Sequence, residues 1–166
     1  MMGPELLGRL LDEQAAALVL YARQWCDAPE DVVQEAFIKL AGLGSLPENA
    51  AAWLYRVVRN GAISASRSAR RRQQHERTAA ERGHVWFEPA PAAGVEAEEA
   101  ASALQTLPIE QREVIVAHLW GGRTFEEIAA WSGTSSSTAH RLYIAGLTAL
   151  RERLGVPCPK KPSAPS

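Results

Sequence analysis

Residues 123–154, RTFEEIAAWSGTSSSTAHRLYIAGLTALRERL, constrain the fold more than any other stretch of this chain. They read as a short helix, a tight turn at Ser132-Gly133-Thr134 and a second helix with a hydroxyl-rich start. Phe125, Ile128, Ala129 and Trp131 fall on the inner side of the first helix, and Leu142, Ala145, Leu147, Ala149 and Leu150 mark a buried face of the second. Gly133 stands where a positive φ is cheap, and Thr134 or Ser135 can cap the helix that follows. This is the layout of a helix-turn-helix, whose second helix enters the DNA major groove. Ser136, Ser137, Thr138, His140 and Arg141 form the set expected to face the groove, because hydroxyls and Arg suit base edges and phosphates. A plain helical hairpin has the same periodicity, so spacing alone leaves that reading open.

The rest of the 166 residues narrows the choice. A chain of this length holds one domain or two small ones, and 46% apolar residues suffice for packed cores. The net charge of −1 gives no overall attraction for nucleic acid. The distribution is more informative. Residues 65–82 hold six Arg against two Glu, and residues 83–103 hold four Glu and no Lys or Arg. Cys26 and Cys158 are far apart and His75, His84, His118 and His140 are scattered, which speaks against a metal site or a disulfide framework. No acid–base, nucleophile or metal constellation converges, so neither an enzyme, a cofactor nor a small-molecule substrate is expected. No apolar run reaches the ~20 residues of a membrane span. The N-terminal MMGPELLGRLLDEQ has no signal-peptide layout, so the cytoplasm is the expected compartment.

Helical periodicity dominates, with no useful alternation of strand type. Leu6, Leu7, Leu10, Leu11, Leu18, Val19 and Ala22 give one helix. Val32, Val33, Ala36, Phe37 and Leu40 give a second, stopped by Gly42 and Gly44. Trp53, Leu54, Val57 and Val58 give a third, after Pro47-Glu48-Asn49. The expected fold is all-α: two small helical domains, 1–75 and 102–154, joined by a flexible linker, 76–101, with a disordered tail, 155–166. The Pro/Ala/Gly density at 88–94 marks the linker. Val85, Trp86 and Phe87 are unusual there, and docking of this patch on a domain, giving a compact closed form, is one expectation.

Two further constellations carry chemistry. Asp31 and Glu35 share a helix face with Gln34 and Ile38, while Val33, Phe37 and Leu40 turn elsewhere; such a face suits a basic partner helix, or is simply solvated. Trp53, Tyr55, Arg56, Arg59 and Asn60, followed by Arg67, Arg70, Arg71 and Arg72, combine rings with Arg and Asn. Rings stack on unpaired bases at ~1–3 kcal/mol each and Arg neutralises phosphate. On composition Trp53 fits a core position better, with Tyr55 at the rim, whereas the Arg cluster fits phosphate contact.

DVVQEAF at 31–37, AWLYRVVRN at 52–60, LPIEQREVI at 107–115 and the helix-turn-helix, in that order and spacing, resemble bacterial extracytoplasmic-function sigma factors. The resemblance covers roughly residues 5–75 and 102–154. It implies an N-terminal region 2 that binds the β′ clamp helices of core RNA polymerase and opens and reads the −10 element. It also implies a C-terminal region 4 that binds the β flap and reads −35 promoter DNA as duplex. Carried over, Asp31, Gln34, Glu35 and Phe37 match the polymerase-binding helix. Trp53, Arg56, Arg59 and Asn60 match the −10 helix, Arg112 the entry to region 4, and Ser137, Thr138, His140 and Arg141 the −35 helix. The family is commonly held inactive by an anti-sigma factor. Three positions depart from its pattern: Ser64 stands where Asp is usual, no basic residue precedes His140-Arg141-Leu142, and Ile144 replaces a frequent Arg. The recognition helix is therefore less basic than usual, and each lost phosphate contact lowers the salt slope of binding by about 1. The competing expectation is a stand-alone helix-turn-helix regulator, which would dimerise on a palindrome. No heptad seam favours that, and a monomer is expected when the protein is free.

Overall fold

The structure, a computed structural model, describes residues 4–76 and 95–156. These form seven helices and, among the described residues, no strand. The order is α1 (Pro4–Ala22), α2 (Pro29–Ala41), α3 (Ala50–Glu76), α4 (Val95–Gln105), α5 (Ile109–Leu119), α6 (Phe125–Ser132) and α7 (Ser136–Leu154). The Val85-Trp86-Phe87 patch and the tail from residue 157 lie outside the described residues.

The first bundle is α1, α2 and α3, each packed on the other two. Pro29 opens α2, where its missing N–H costs nothing, and Glu30 and Asp31 favour the positive helix start. Val33, Ala36, Phe37 and Leu40 turn inward from α2, and meet Leu18, Tyr21 and Ala22 of α1 and Leu54, Tyr55, Val58 and Ala62 of α3. A Cβ on Gly61 would stand 3.0 Å from a Val32 methyl, so α2 and α3 approach closely there. The 27 residues of α3 run about 40 Å. Its first half is therefore core, while Arg67, Arg70, Arg71 and Arg72 extend beyond it into solvent.

The second bundle packs α7 across α4, α5 and α6. Val114, Ile115, Val116 and Ala117 are all buried on α5, which makes this helix the axis of the module. The inner face of α6 is the expected one: Ile128 and Trp131 are buried and Phe125 and Ala129 half-buried. On α7 the stripe is Ala139, Leu142, Tyr143, Gly146, Ala149 and Leu150, and Ala145 is exposed. Ala145 is thus misplaced by the sequence pattern, because the buried contact falls one residue on, at a glycine. A Cβ on Gly146 would stand 2.6 Å from Ile115 Cδ1. The side-chain-free position lets α7 close on α5.

The bundles are in contact: α1 packs on α5, and α3 on α6, so one apolar cluster runs through both.

Candidate nucleic-acid interface

The C-terminal part of the site is built by caps. Thr124 and Glu127 exchange hydrogen bonds at the start of α6: the Glu127 N–H donates to Thr124 Oγ1 at 3.2 Å, and the Thr124 N–H to Glu127 Oε2 at 2.9 Å. Two orphan donors are thereby satisfied. Gly133 ends α6 at φ 75°, a left-handed turn that glycine makes without steric cost. Ser135, of the two expected candidates, caps α7: its Oγ accepts the Thr138 N–H at 3.1 Å and donates to Thr138 Oγ1 at 2.9 Å. Arg141 Nη2 donates to the same Thr138 hydroxyl at 3.1 Å. The cap thus orients the Arg. Ser137, His140 and Arg141 are exposed, and Ser136 and Thr138 half-buried. The His140 ring meets Phe125 edge-on at 5.2 Å, which fixes its direction. All five residues lie on the first two turns of α7, at the positive end of its dipole, which favours phosphate.

The N-terminal part is α3 with the turn before it. Asn49 precedes α3, its Oδ1 accepting the Ala52 N–H at 2.9 Å. Trp53 is half-buried, and Arg56 and Asn60 are exposed. Trp53, Arg56, Pro47 and Asn49 line one side of a cleft of about 240 Å³, and Glu127, Ala130 and Trp131 of α6 line the other. The roles of the two rings are exchanged relative to the sequence expectation: Trp53 opens on the cleft, and Tyr55 is fully buried. One helical step of two residues turns about 200°, which puts the rings on opposite sides. Arg67, Arg70 and Arg71 stand exposed along the far half of α3.

On α2, Asp31, Gln34 and Glu35 are exposed, with Glu35 paired to Lys39 at 2.7 Å. Phe37 is 6% exposed and sits in the core, so it supports that face from below. Beside it, Leu7, Leu11, Val19, Phe37 and Ile38 line an apolar groove between α1 and α2.

What the sequence does not advertise is the polar centre between the bundles. Glu113 of α5 is buried and accepts Arg59 Nε at 2.7 Å and Nη2 at 3.4 Å, and also the Tyr21 hydroxyl. Trp131 Nε1 donates to Tyr21 Oη at 2.9 Å, and its ring stacks on Tyr55 at 5.1 Å. Asn49 Nδ2 donates to Glu127 Oε1 at 2.7 Å. Burial opposes the Arg59 charge, but the hydrogen bond and charge of Glu113 outweigh it and raise the guanidinium above its ordinary value. Burial and the Glu113 charge hold the Tyr21 phenol well above its own. Burial would raise the Glu127 carboxyl, yet donors from Thr124 and Asn49 and the Arg123 charge keep it low. The one sequence signal for this centre is Glu113 itself, an acid opening the apolar run Val114–Ala117.

Among the described residues no group of three or more His, Cys, Asp or Glu is placed to hold a metal ion, and no helix is long and apolar enough to cross a membrane.

Two family models match the chain: Sigma-70 region 2 over residues 12–72 and Sigma-70 region 4 over residues 103–152. A curated relative, the ECF RNA polymerase sigma factor EcfG of Rhodopseudomonas palustris (strain TIE-1), is 32% identical over 115 residues. That alignment covers 68% of this chain and 63% of the relative. Among solved structures, the sigma factor RpoE of Bartonella quintana, in complex with the anti-sigma factor NepR, superposes with a TM-score of 0.75 at 24% identity, covering 94% of this chain and 100% of that one. CnrH, in complex with the cytosolic domain of CnrY, gives 0.62 at 22% identity over 94% and 92%. The last two speak for the fold. With both regions matched in order, the chain belongs to the sigma-70 family, in its extracytoplasmic-function (ECF) group.

Proposed function

We propose that this ECF sigma factor directs core RNA polymerase to promoters by reading −35 duplex through α7 and melted −10 DNA through α3. It catalyses nothing itself. The working modules are residues 1–75 and 102–154, joined by 76–101, whose last residues, 95–101, already form the start of α4 and so belong with the second bundle, and 155–166 is a tail. The observation that supports the reading is a pair of separate polar surfaces on one chain. One is the capped, hydroxyl-rich start of α7, with Ser137, His140 and Arg141 exposed. The other is α3, with Trp53 and Arg56 at a cleft and Asn60, Arg67, Arg70 and Arg71 in solvent. Duplex contact needs short polar side chains and phosphate partners; a melted strand needs rings and a basic track.

Asp31, Gln34 and Glu35 on the exposed face of α2 are proposed to meet the β′ clamp helices, and the C-terminal module the β flap. Weak DNA binding by each module suffices, because docking on one large enzyme raises the effective concentration of the second contact. An anti-sigma factor is the third proposed partner, since RpoE was solved with one and CnrH with the cytosolic domain of CnrY.

The test is reconstitution with core polymerase and run-off transcription on genomic fragments. Specific transcripts that appear only when the protein is added are expected. A stable dimer that binds a palindrome and leaves core polymerase untouched would sink the proposal and favour a stand-alone regulator.

A further inference from the structure

The helix that the proposed function lays in the major groove is α7, and most of what it exposes is polar or small. Ser137, His140, Arg141, Ala145 and Thr148 are exposed, whereas Ala139 and Gly146 are buried and Leu142, Tyr143, Ala149 and Leu150 half-buried on the inner stripe. Ile144 breaks the pattern. It is the one large apolar side chain that stands exposed on this helix, at 48%. It follows Ser137 by seven residues, His140 by four and Arg141 by three. At 3.6 residues per turn these four side chains share one face. The base-reading side chains of a homeodomain recognition helix have the same spacing.

Three properties suit this side chain to a base edge. Branching at Cβ leaves one strongly preferred χ1 rotamer in a helix, so its methyl groups point in a fixed direction. Ala145 beside it is exposed and carries a single methyl, which leaves room for the groove to approach. One turn on, Thr148 Oγ1 donates to the Ile144 carbonyl at 2.9 Å, so that hydroxyl proton is already held by the helix and Ile144 is the contact at this level. Major-groove edges present hydrogen-bonding atoms and one apolar group, the thymine 5-methyl. Against those atoms an isoleucine leaves a donor or acceptor unpaired and out of water. Against the methyl it removes apolar surface from water on both sides.

We propose that Ile144 is a specificity-determining residue of the −35 contact, reading a thymine through its 5-methyl group one turn beyond Arg141. This rests on the assignment of α7 to the −35 duplex, and adds the base chemistry that the far end of its reading face takes. Ser137, His140 and Arg141 supply hydrogen bonds and phosphate contact near the helix start; Ile144 supplies discrimination without charge. The two contributions separate by salt. Removing a cation from phosphate lowers the salt slope of binding, and removing a methyl contact leaves the slope where it was. One methyl contact is worth roughly one buried methylene, or about fourfold in affinity.

The experiment uses the holoenzyme, with the wild type and with Ile144→Ala. The side chain is exposed, so its truncation leaves the core intact, and circular dichroism checks the helix content. A promoter recovered by run-off transcription is randomised at −35 and selected by binding to the wild-type holoenzyme. The enriched element is then made with deoxyuridine in place of each thymine in turn, on either strand, which removes the 5-methyl group alone. The expected result is one thymine at which deoxyuridine weakens the wild type about fourfold. Ile144→Ala is expected to lose about as much on thymine DNA, to be indifferent to deoxyuridine at that position, and to keep the wild-type salt slope. Wild-type binding that is indifferent to every deoxyuridine overturns the proposal, as does an enriched element with no thymine on either strand. A methyl effect that persists in full in Ile144→Ala assigns the methyl to another side chain and overturns it too. Run-off transcription that yields no promoter counts against the proposed function itself, whereas an enriched element without methyl dependence leaves that function standing and removes only the role of Ile144.

Discussion

The Tyr55 hydroxyl is buried and has no hydrogen-bond partner, and burial pushes its pKa to about 12. Tyr21 is raised as well. A phenol whose folded pKa exceeds its unfolded value, near 10, contributes stability that is complete below that value. The contribution is lost as pH rises through the folded value. Melting temperature is therefore expected to fall steeply between about pH 10 and 12, more steeply than Lys titration alone would give. Tyr55→Phe removes one unsatisfied polar atom, so it is expected to change stability by less than about 1 kcal/mol at pH 7, and to flatten the alkaline loss. Thermal melts followed by circular dichroism across that range test both. Thr124→Ala, which opens the capping box of α6, is expected to cost about 1 kcal/mol in urea denaturation. Tyr55 illustrates the limit of reading single residues. The motif placed rings beside Arg correctly, but which ring is core depends on helix phase, and the phase was set by packing against Leu18, Tyr21 and Trp131.

At the scale of elements, the helices follow from their own periodicity and punctuation. Pro29, Gly133 and Ser135 start or stop helices where such residues should. The exception is α7, whose contact with α5 runs through Gly146, a position that no apolar pattern marks. Gly146→Val would push on the Ile115 methyl, and overpacking of this kind costs about 1–3 kcal/mol. The check is the midpoint of urea unfolding, with near-native helix content before the transition. The proposed recognition surface of α7 offers a kinetic-free test of its own. Arg141 is exposed and held by Thr138. Arg141→Ala is expected to lower the slope of log affinity against log salt for promoter duplex by about 1, measured on the holoenzyme. An unchanged slope would place Arg141 away from phosphate.

The whole molecule behaves, on these contacts, as one cooperative body. A single apolar cluster spans both bundles and the Arg59–Glu113 pair lies beside it, with Glu113 buried and Arg59 half-buried. Unfolding of the free chain is therefore expected to follow one transition, with helix signal and tryptophan emission coincident. Trp131→Ala, which removes the ring packed on both Tyr21 and Tyr55, is expected to split it into two. Non-coincident transitions in the wild type would mean that the bundles are energetically separate. What the sequence by itself determined was the helical class, the order of the two modules, the turn at Gly133 and the polar start of α7. All of these rest on contacts a few residues apart, where propensity, capping and periodicity act. The meeting of Glu113 with Tyr21 and Arg59, residues 92 and 54 positions away, was decided only by tertiary structure. A buried acid announces that it needs partners, but local chemistry cannot say which donors a distant bundle will bring.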